Sequence, residues 1–116
     1  MKVNGRFYFK KTSNGNLIGE WSSHQSNGEV LTESGDLKCG NLDLSEAAQG
    51  KTCSEYQTTW RENGEAAFAK LEISRNNLLF TLKWTNITIG GQTKQHTFTG
   101  EGMLADGIVI GDYRQT

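Results

Sequence analysis

This sequence predicts an all-β chain folded as an eight-stranded antiparallel up-and-down (meander) barrel, and three observations carry the prediction. Asn-Gly or Asp-Gly pairs stand at 14–15, 27–28, 63–64 and 106–107, and these dipeptides best tolerate the positive φ angles of tight hairpin turns. Between them apolar and polar residues alternate with a period of two, which turns one strand face to a core and the other to water. Proline is absent from all 116 residues, as suits a continuous hydrogen-bonded ladder that proline would interrupt. The length fits one domain, 1–116, and is too short for two cores.

Taken in order, residues 5–10 read as a first strand with Phe7 and Phe9 on one face and Arg6, Tyr8 and Lys10 on the other. A turn over Thr12–Asn16 leads to a second strand, 17–23, whose inner face carries Leu17, Gly19 and Trp21, because the indole is too large to leave in water. A third strand spans 29–34, with Val30 and Thr32 opposed to Leu31 and Glu33. The pattern then breaks from Gly35 to Lys51, where Ser45 as N-cap and Gly50 as stop allow at most one short helical turn near 43–49. Such a turn could close one end of the barrel.

Alternation resumes over 52–60 with Tyr56, Thr58 and Trp60 on one face, and again over 65–74 with Ala67, Ala69, Leu71 and Ile73. Helix competes for the second of these because of its alanines, but Leu71 and Ile73 alternate with charges and both neighbours are strands. Residues 78–85 put Phe80, Leu82 and Trp84 on one side, 86–94 read as a glycine-rich connection, and the final hairpin folds about Asp106-Gly107. Within it, and at two earlier places, the same grammar recurs: Gly19-Glu20-Trp21, Ser54-Glu55-Tyr56, Gly100-Glu101-Gly102 and Gly111-Asp112-Tyr113.

The composition excludes several functions. With 12 basic and 13 acidic residues scattered along the chain and a net charge of −1, nothing offers a phosphate backbone or an anionic membrane surface an electrostatic footprint. No apolar run approaches the length of a membrane helix, so a soluble chain is expected, with neither nucleic acid nor membrane as partner. Two cysteines, Cys39 and Cys53, are too few for a disulfide scaffold or a zinc site. They could be bridged or free, a bridge across about 14 residues being worth roughly 3 kcal/mol. The chain opens Met1-Lys-Val-Asn-Gly-Arg6 without an apolar signal segment, which points to the cytoplasm, or to a secreted or periplasmic protein whose signal has been removed.

Collected on the inner faces are Phe7, Phe9, Trp21, Tyr56, Trp60, Phe80, Trp84, Phe98 and Tyr113, with Gly19, Gly100, Gly102 and Gly111 among them. An eight-stranded barrel is just wide enough to be filled by side chains or to hold one small ligand. Either the rings are simply the core, or the glycines leave a cleft at one end, walled by Trp and Tyr with Thr58, Gln57 or His96 near its mouth. Glu20, Glu55, Glu101 and Asp112 each precede an aromatic residue or glycine, so parity sends them outward, where Lys83 and Arg114 can pair with them. That argues against a paired-carboxylate hydrolase. His24 and His96 lie in or beside turns with no nucleophile motif nearby, and read as surface residues. No catalytic, metal or cofactor site is expected; the Asn86-Ile87-Thr88 sequon carries no functional weight.

Leu17-Ile-Gly-Glu-Trp-Ser22 resembles the Gly-x-Trp opening strand of the calycin barrels, the group holding lipocalins and avidins, and Arg114 is similar to the lipocalin arginine that packs across that tryptophan. Phe80-Thr-Leu-Lys-Trp84 and Phe98-Thr-Gly100 look like successive avidin strands. The resemblance implies that a residue at the Trp84 position stacks on a ligand and that Ser22 and Ser23 bind its polar head. Three features depart from the family pattern: a strand precedes the Gly-x-Trp strand, none follows Arg114, and Tyr113 stands where avidins carry a second tryptophan. The sequence thus points to a non-catalytic barrel binding a small organic molecule through Trp21, Ser23, Tyr56, Thr58, Trp60, Trp84 and Tyr113. The alternative is an interaction or structural module with a filled core that contacts another protein or a second copy of itself.

Overall fold

Among the described residues nine strands form one antiparallel sheet, and its ends meet. The structure, a computed structural model, describes residues 3–24, 28–45 and 50–116. The strands are β1 (Gly5–Lys11), β2 (Leu17–Ser23), β3 (Val30–Gly40), β4 (Lys51–Glu62), β5 (Glu65–Asn76), β6 (Leu79–Ile89), β7 (Gln92–Thr93), β8 (Phe98–Ala105) and β9 (Ile108–Gln115). Each long strand pairs with its neighbours in sequence, and β1 pairs with β9, so eight of them close a meander barrel. The two-residue β7 lies outside the ring and pairs with β6.

The turns follow from their residues. Asn63-Gly64 and Asp106-Gly107 all take positive φ, between 52° and 80°, as a two-residue type I′ hairpin requires. Thr12 to Gly15 forms a turn closed by the Gly15 amide on the Thr12 carbonyl at 3.0 Å. Two elements run further than the sequence pattern suggests. β3 continues through Gly35 to Gly40 across a bulge between Leu37 and Cys39, which shifts the alternation and hides the strand from a period-two reading. β6 continues to Ile89, so part of the expected glycine-rich connection is strand, with the turn confined to Gly90-Gly91. Among the described residues there is no helix; the expected turn near 43–49 falls partly on 46–49, outside the described residues.

The interior is packed toward the end that carries the β1–β2, β3–β4, β5–β6 and β8–β9 connections. Phe9, Leu17, Tyr56, Leu71, Ile73, Phe80, Leu82 and Val109 are buried there, and each such side chain contributes roughly 1.5–3 kcal/mol through the apolar surface it hides. Arg75 closes this end. It extends the inward series Ala67, Ala69, Leu71, Ile73 by one position and is 2% exposed. Its guanidinium lies over the Phe80 ring at 5.0 Å. It donates to the backbone carbonyls of Asn77, Asp43 and Ser45, and Leu42, from the same connection as Asp43 and Ser45, is buried in the core. The charge is thereby satisfied by a ring of carbonyl dipoles, and the connection after β3 is fastened across the barrel mouth.

Cys39 and Cys53 are both free and exposed. The bulge in β3 sets Cys39 opposite Glu55 and Gly40 opposite Ser54, so the cysteines are not paired in register.

Replacing Arg75 by Met, which keeps the apolar stem but leaves three carbonyls without their donor, should lower unfolding free energy by about 2–4 kcal/mol. Urea unfolding of the two proteins measures it. A loss below about 1 kcal/mol would mean that the guanidinium is not what holds this end shut.

Candidate functional site

At the opposite end the barrel is not filled. β2, β4, β6 and β9 bring their inward aromatic residues Trp21, Trp60, Trp84 and Tyr113 to one level, and β8 adds Phe98 at its start. The rings meet edge to face: Trp21 touches Trp60 at 6.3 Å and Tyr113 at 6.2 Å between centroids, Tyr113 touches Trp84 at 6.2 Å and Phe98 at 5.6 Å, and His96 stands on Phe98 at 5.2 Å. Such rings support one another at their edges but cannot interdigitate as aliphatic chains do. They wall a cavity of about 570 Å³ that opens to solvent, within the usual range for small-molecule sites.

Glu33 sits on the floor. Its side chain is 3% exposed, and Trp84 Nε1–H donates to its carboxylate at 3.0 Å across the barrel. Burial pushes the carboxyl up from 4.5 to about 7, opposed by hydrogen bonds from Trp84 and Thr58. Glu33 faces inward because β3 pairs with β2 so that Leu31 lies opposite Trp21 and Glu33 opposite Gly19, and directly opposed residues share a face of the sheet. Two further carboxylates border the cavity, Glu29 and Glu62, and Glu62 accepts from Trp60 Nε1 at 3.0 Å. Lys94 and His96 supply the only basic groups of its wall among the described residues. Tyr113, whose hydroxyl donates to the Ser22 carbonyl at 2.9 Å, is pushed up to about 12, chiefly by burial. The indole N–H of Trp21 is buried without an acceptor among the described residues.

Of the residues singled out from sequence, Trp21, Ser23, Trp60, Trp84 and Tyr113 line this cavity together. Tyr56 and Thr58 do not. They lie on β4 below Trp60, and Tyr56, four residues deeper, sits about 13 Å further into the barrel at the rise of a strand, in the packed core. Thr58 Oγ1 lies beneath Glu33 with two acceptors in reach of its one proton, the Ala69 carbonyl at 3.3 Å and the Glu33 carboxylate. Gln57 is exposed, since it alternates with Tyr56 and Thr58 and cannot share their face.

The glycines do not make the cavity. A Cβ on Gly100 would stand 3.0 Å from Phe7 and 3.1 Å from Trp84, and one on Gly19 would strike the Tyr8 carbonyl at 2.0 Å. Neighbouring rings and backbone fill those places, and none of Gly19, Gly100, Gly102 and Gly111 lines the opening. Arg114 does not cross Trp21 either; parity turns it outward to Glu101, at 3.2 Å, and the rings against Trp21 are Trp60 and Tyr113. The recurring acids are outside as expected: Glu20 accepts from Tyr8, Glu55 meets Lys70 at 3.5 Å, and Asp112 lies opposite Arg6. His96 is a cavity residue rather than a plain surface one.

The carboxyl of Glu33 holds its proton more tightly folded, with a pKa of about 7, than at its ordinary 4.5. Its contribution to stability is therefore fully present below about pH 4.5, is lost progressively as pH rises to about 7, and then levels off. The stability difference between wild type and Glu33→Gln should shift toward the variant by up to about 3 kcal/mol over that interval. Chemical denaturation at several pH values reads this, and parallel curves for the two proteins would contradict it.

No protein-family model, no curated protein and no solved structure matches this chain, so the reading of the cavity rests on its own geometry.

Proposed function

We propose that this chain is a non-catalytic barrel that binds a small, partly apolar molecule at its open end, between Trp21, Trp60, Trp84, Phe98 and Tyr113. The observation that carries the reading is the cavity of about 570 Å³: a core kept only for stability would fill it, because interiors pack to the density of organic crystals. The unmet N–H of Trp21 supports it, being a donor that an oxygen of an incoming molecule would satisfy. Ser23 at the rim and the closed eight-strand meander agree with the calycin resemblance, which we keep as part of this proposal.

The non-catalytic reading is supported by the duties of the two best-placed carboxylates. Glu33 is held by Trp84 and Thr58, and Glu62 by Trp60, so each positions an indole at the wall. Hydrolysis of model esters or glycosides that disappears in Glu33→Gln would overturn it.

Intrinsic tryptophan emission should change saturably with a fitting ligand, since three tryptophans border the space. Trp60→Ala should weaken that binding by about tenfold or more, as loss of a buried ring contact does. Tyr56→Phe should leave it within about twofold because Tyr56 lies below the floor. Equal losses in both variants would show that binding does not use this end.

One observation favours a second reading, a module that contacts another protein or a second copy. Leu79, Met103 and Ile110 are exposed and sit opposite one another across β6, β8 and β9 on the outer face. Light scattering tests self-association directly: a dimer dispersed by Met103→Lys supports this reading, and a monomer at high concentration removes its second-copy form.

A further inference from the structure

Resting on the small-molecule reading above, we infer that the cavity is built for an organic cation: a protonated amine whose charged end reaches toward Glu33 while its apolar part lies against the indoles.

The first argument is the charge of the wall. Three carboxylates, Glu29, Glu33 and Glu62, border the cavity against Lys94 and His96. Both basic residues come from the connection between β7 and β8, at the rim. The group set deepest is the carboxylate of Glu33. A ligand entering past the rings therefore meets negative charge at the bottom, in a place poorly screened by solvent. An anion would be driven against a buried carboxylate with no cation beside it among the described residues, and a neutral molecule would leave the floor without a counter-charge.

The second argument is the nature of the wall. Trp21, Trp60, Trp84 and Tyr113 surround the space above Glu33, and aromatic faces carry the negative end of the ring quadrupole. A cation within about 6 Å of such faces gains about 2 kcal/mol or more once desolvated. Because the rings touch edge to face at 6.2–6.3 Å, neighbouring planes stand crosswise and present both faces and edges around one volume. Aromatic walls alone would accept any apolar body. Aromatic walls over a buried carboxylate distinguish an ammonium from an alcohol of the same shape.

The third argument is what holds Glu33. One oxygen accepts from Trp84 Nε1 and Thr58 supports the group from below. A carboxylate has about four acceptor positions, so capacity remains for a donor arriving from the cavity. An ammonium is such a donor, and its positive charge would offset the desolvation that this carboxyl suffers alone.

The test compares three probes with one ring and one chain length: 2-phenylethylamine, 2-phenylethanol and phenylacetate, titrated by calorimetry at about pH 8 against wild type and Glu33→Gln. The amine should bind wild type at least about tenfold more tightly than the alcohol, and phenylacetate least of all. Glu33→Gln, which keeps an acceptor for Trp84, should remove most of that preference while leaving the alcohol within about twofold. Equal or tighter binding of the alcohol or the acid overturns the cation inference and leaves the small-molecule site standing. So does an amine preference unchanged in Glu33→Gln, because the charge would then be read elsewhere. Absence of binding by all three, with folding confirmed by circular dichroism, overturns the inference, and the small-molecule reading falls with it only if intrinsic tryptophan emission also stays unchanged against a range of other small organic molecules.

Discussion

The hydrogen bond from Trp84 Nε1 to Glu33 divides this barrel into two halves with different rules. It runs from β6 to β3 across the interior, so it is at once the roof of a packed core and the floor of an open space. Below it Phe9, Phe80 and the aliphatic residues exclude water. Above it rings meet at their edges and leave a gap. An isolated carboxylate would be very costly at 3% exposure. Here it is tolerated because an indole, a threonine and a raised pKa share the burden. An aliphatic residue at position 33 would pack without any of these arrangements, so the carboxylate marks a place where stability is given up for something else.

The asymmetry of the two ends follows from the chain as well. At the packed end a guanidinium finds three carbonyl acceptors and pulls the connection after β3 across the opening. At the other end the Trp60 and Glu62 side chains bond to each other, as do the Tyr113 hydroxyl and the Ser22 backbone, so these polar groups are bound along the wall, while the Trp21 N–H has no acceptor among the described residues. The glycines belong to the packed side of this division. Gly111 would place a Cβ 1.9 Å from the Glu101 carbonyl, so its absence of a side chain lets β8 and β9 approach and coil. The glycines therefore shape the barrel's curvature and make room for Phe7 and Trp84.

Much of this could be read from residues alone, and the failures have physical causes. The dipeptides Asn63-Gly64 and Asp106-Gly107 specify local geometry, so the hairpins and the meander were legible. Parity within a strand was legible wherever one side carried a residue too large for water, as with Trp21, Tyr56 and Trp84. It was not legible in β3, where Val30 and Thr32 compete with Leu31 and Glu33 on nearly equal terms. Local hydrophobicity even favours the wrong face at position 33. Only the long-range register that opposes Leu31 to Trp21 decides it. Arg75 escaped for the same reason: a charge at the end of a strand reads as solvated until the carbonyls that receive it are brought there by the fold. The bulge between Leu37 and Cys39 erased the alternation that would have extended β3.

That pattern of failure bears on the site. Residues chosen by hydrophobic patterning are chosen because they fit a core, so Tyr56 and Trp21 look alike in sequence although one is sealed and the other faces the opening. What separates them is distance along the barrel axis, set by how many residues of each strand lie beyond the last well-packed layer. The distinguishing chemistry then comes from the residue that patterning would send to the surface. Glu33 is polar, central and inward, and its carboxylate stands where the aromatic walls converge. A ligand must satisfy both at once, the apolar faces along its sides and the acid at its end. Among common charged groups the ammonium does so, because its charge is spread over methylene or methyl groups that can lie on indole faces while its remaining donors reach an oxygen.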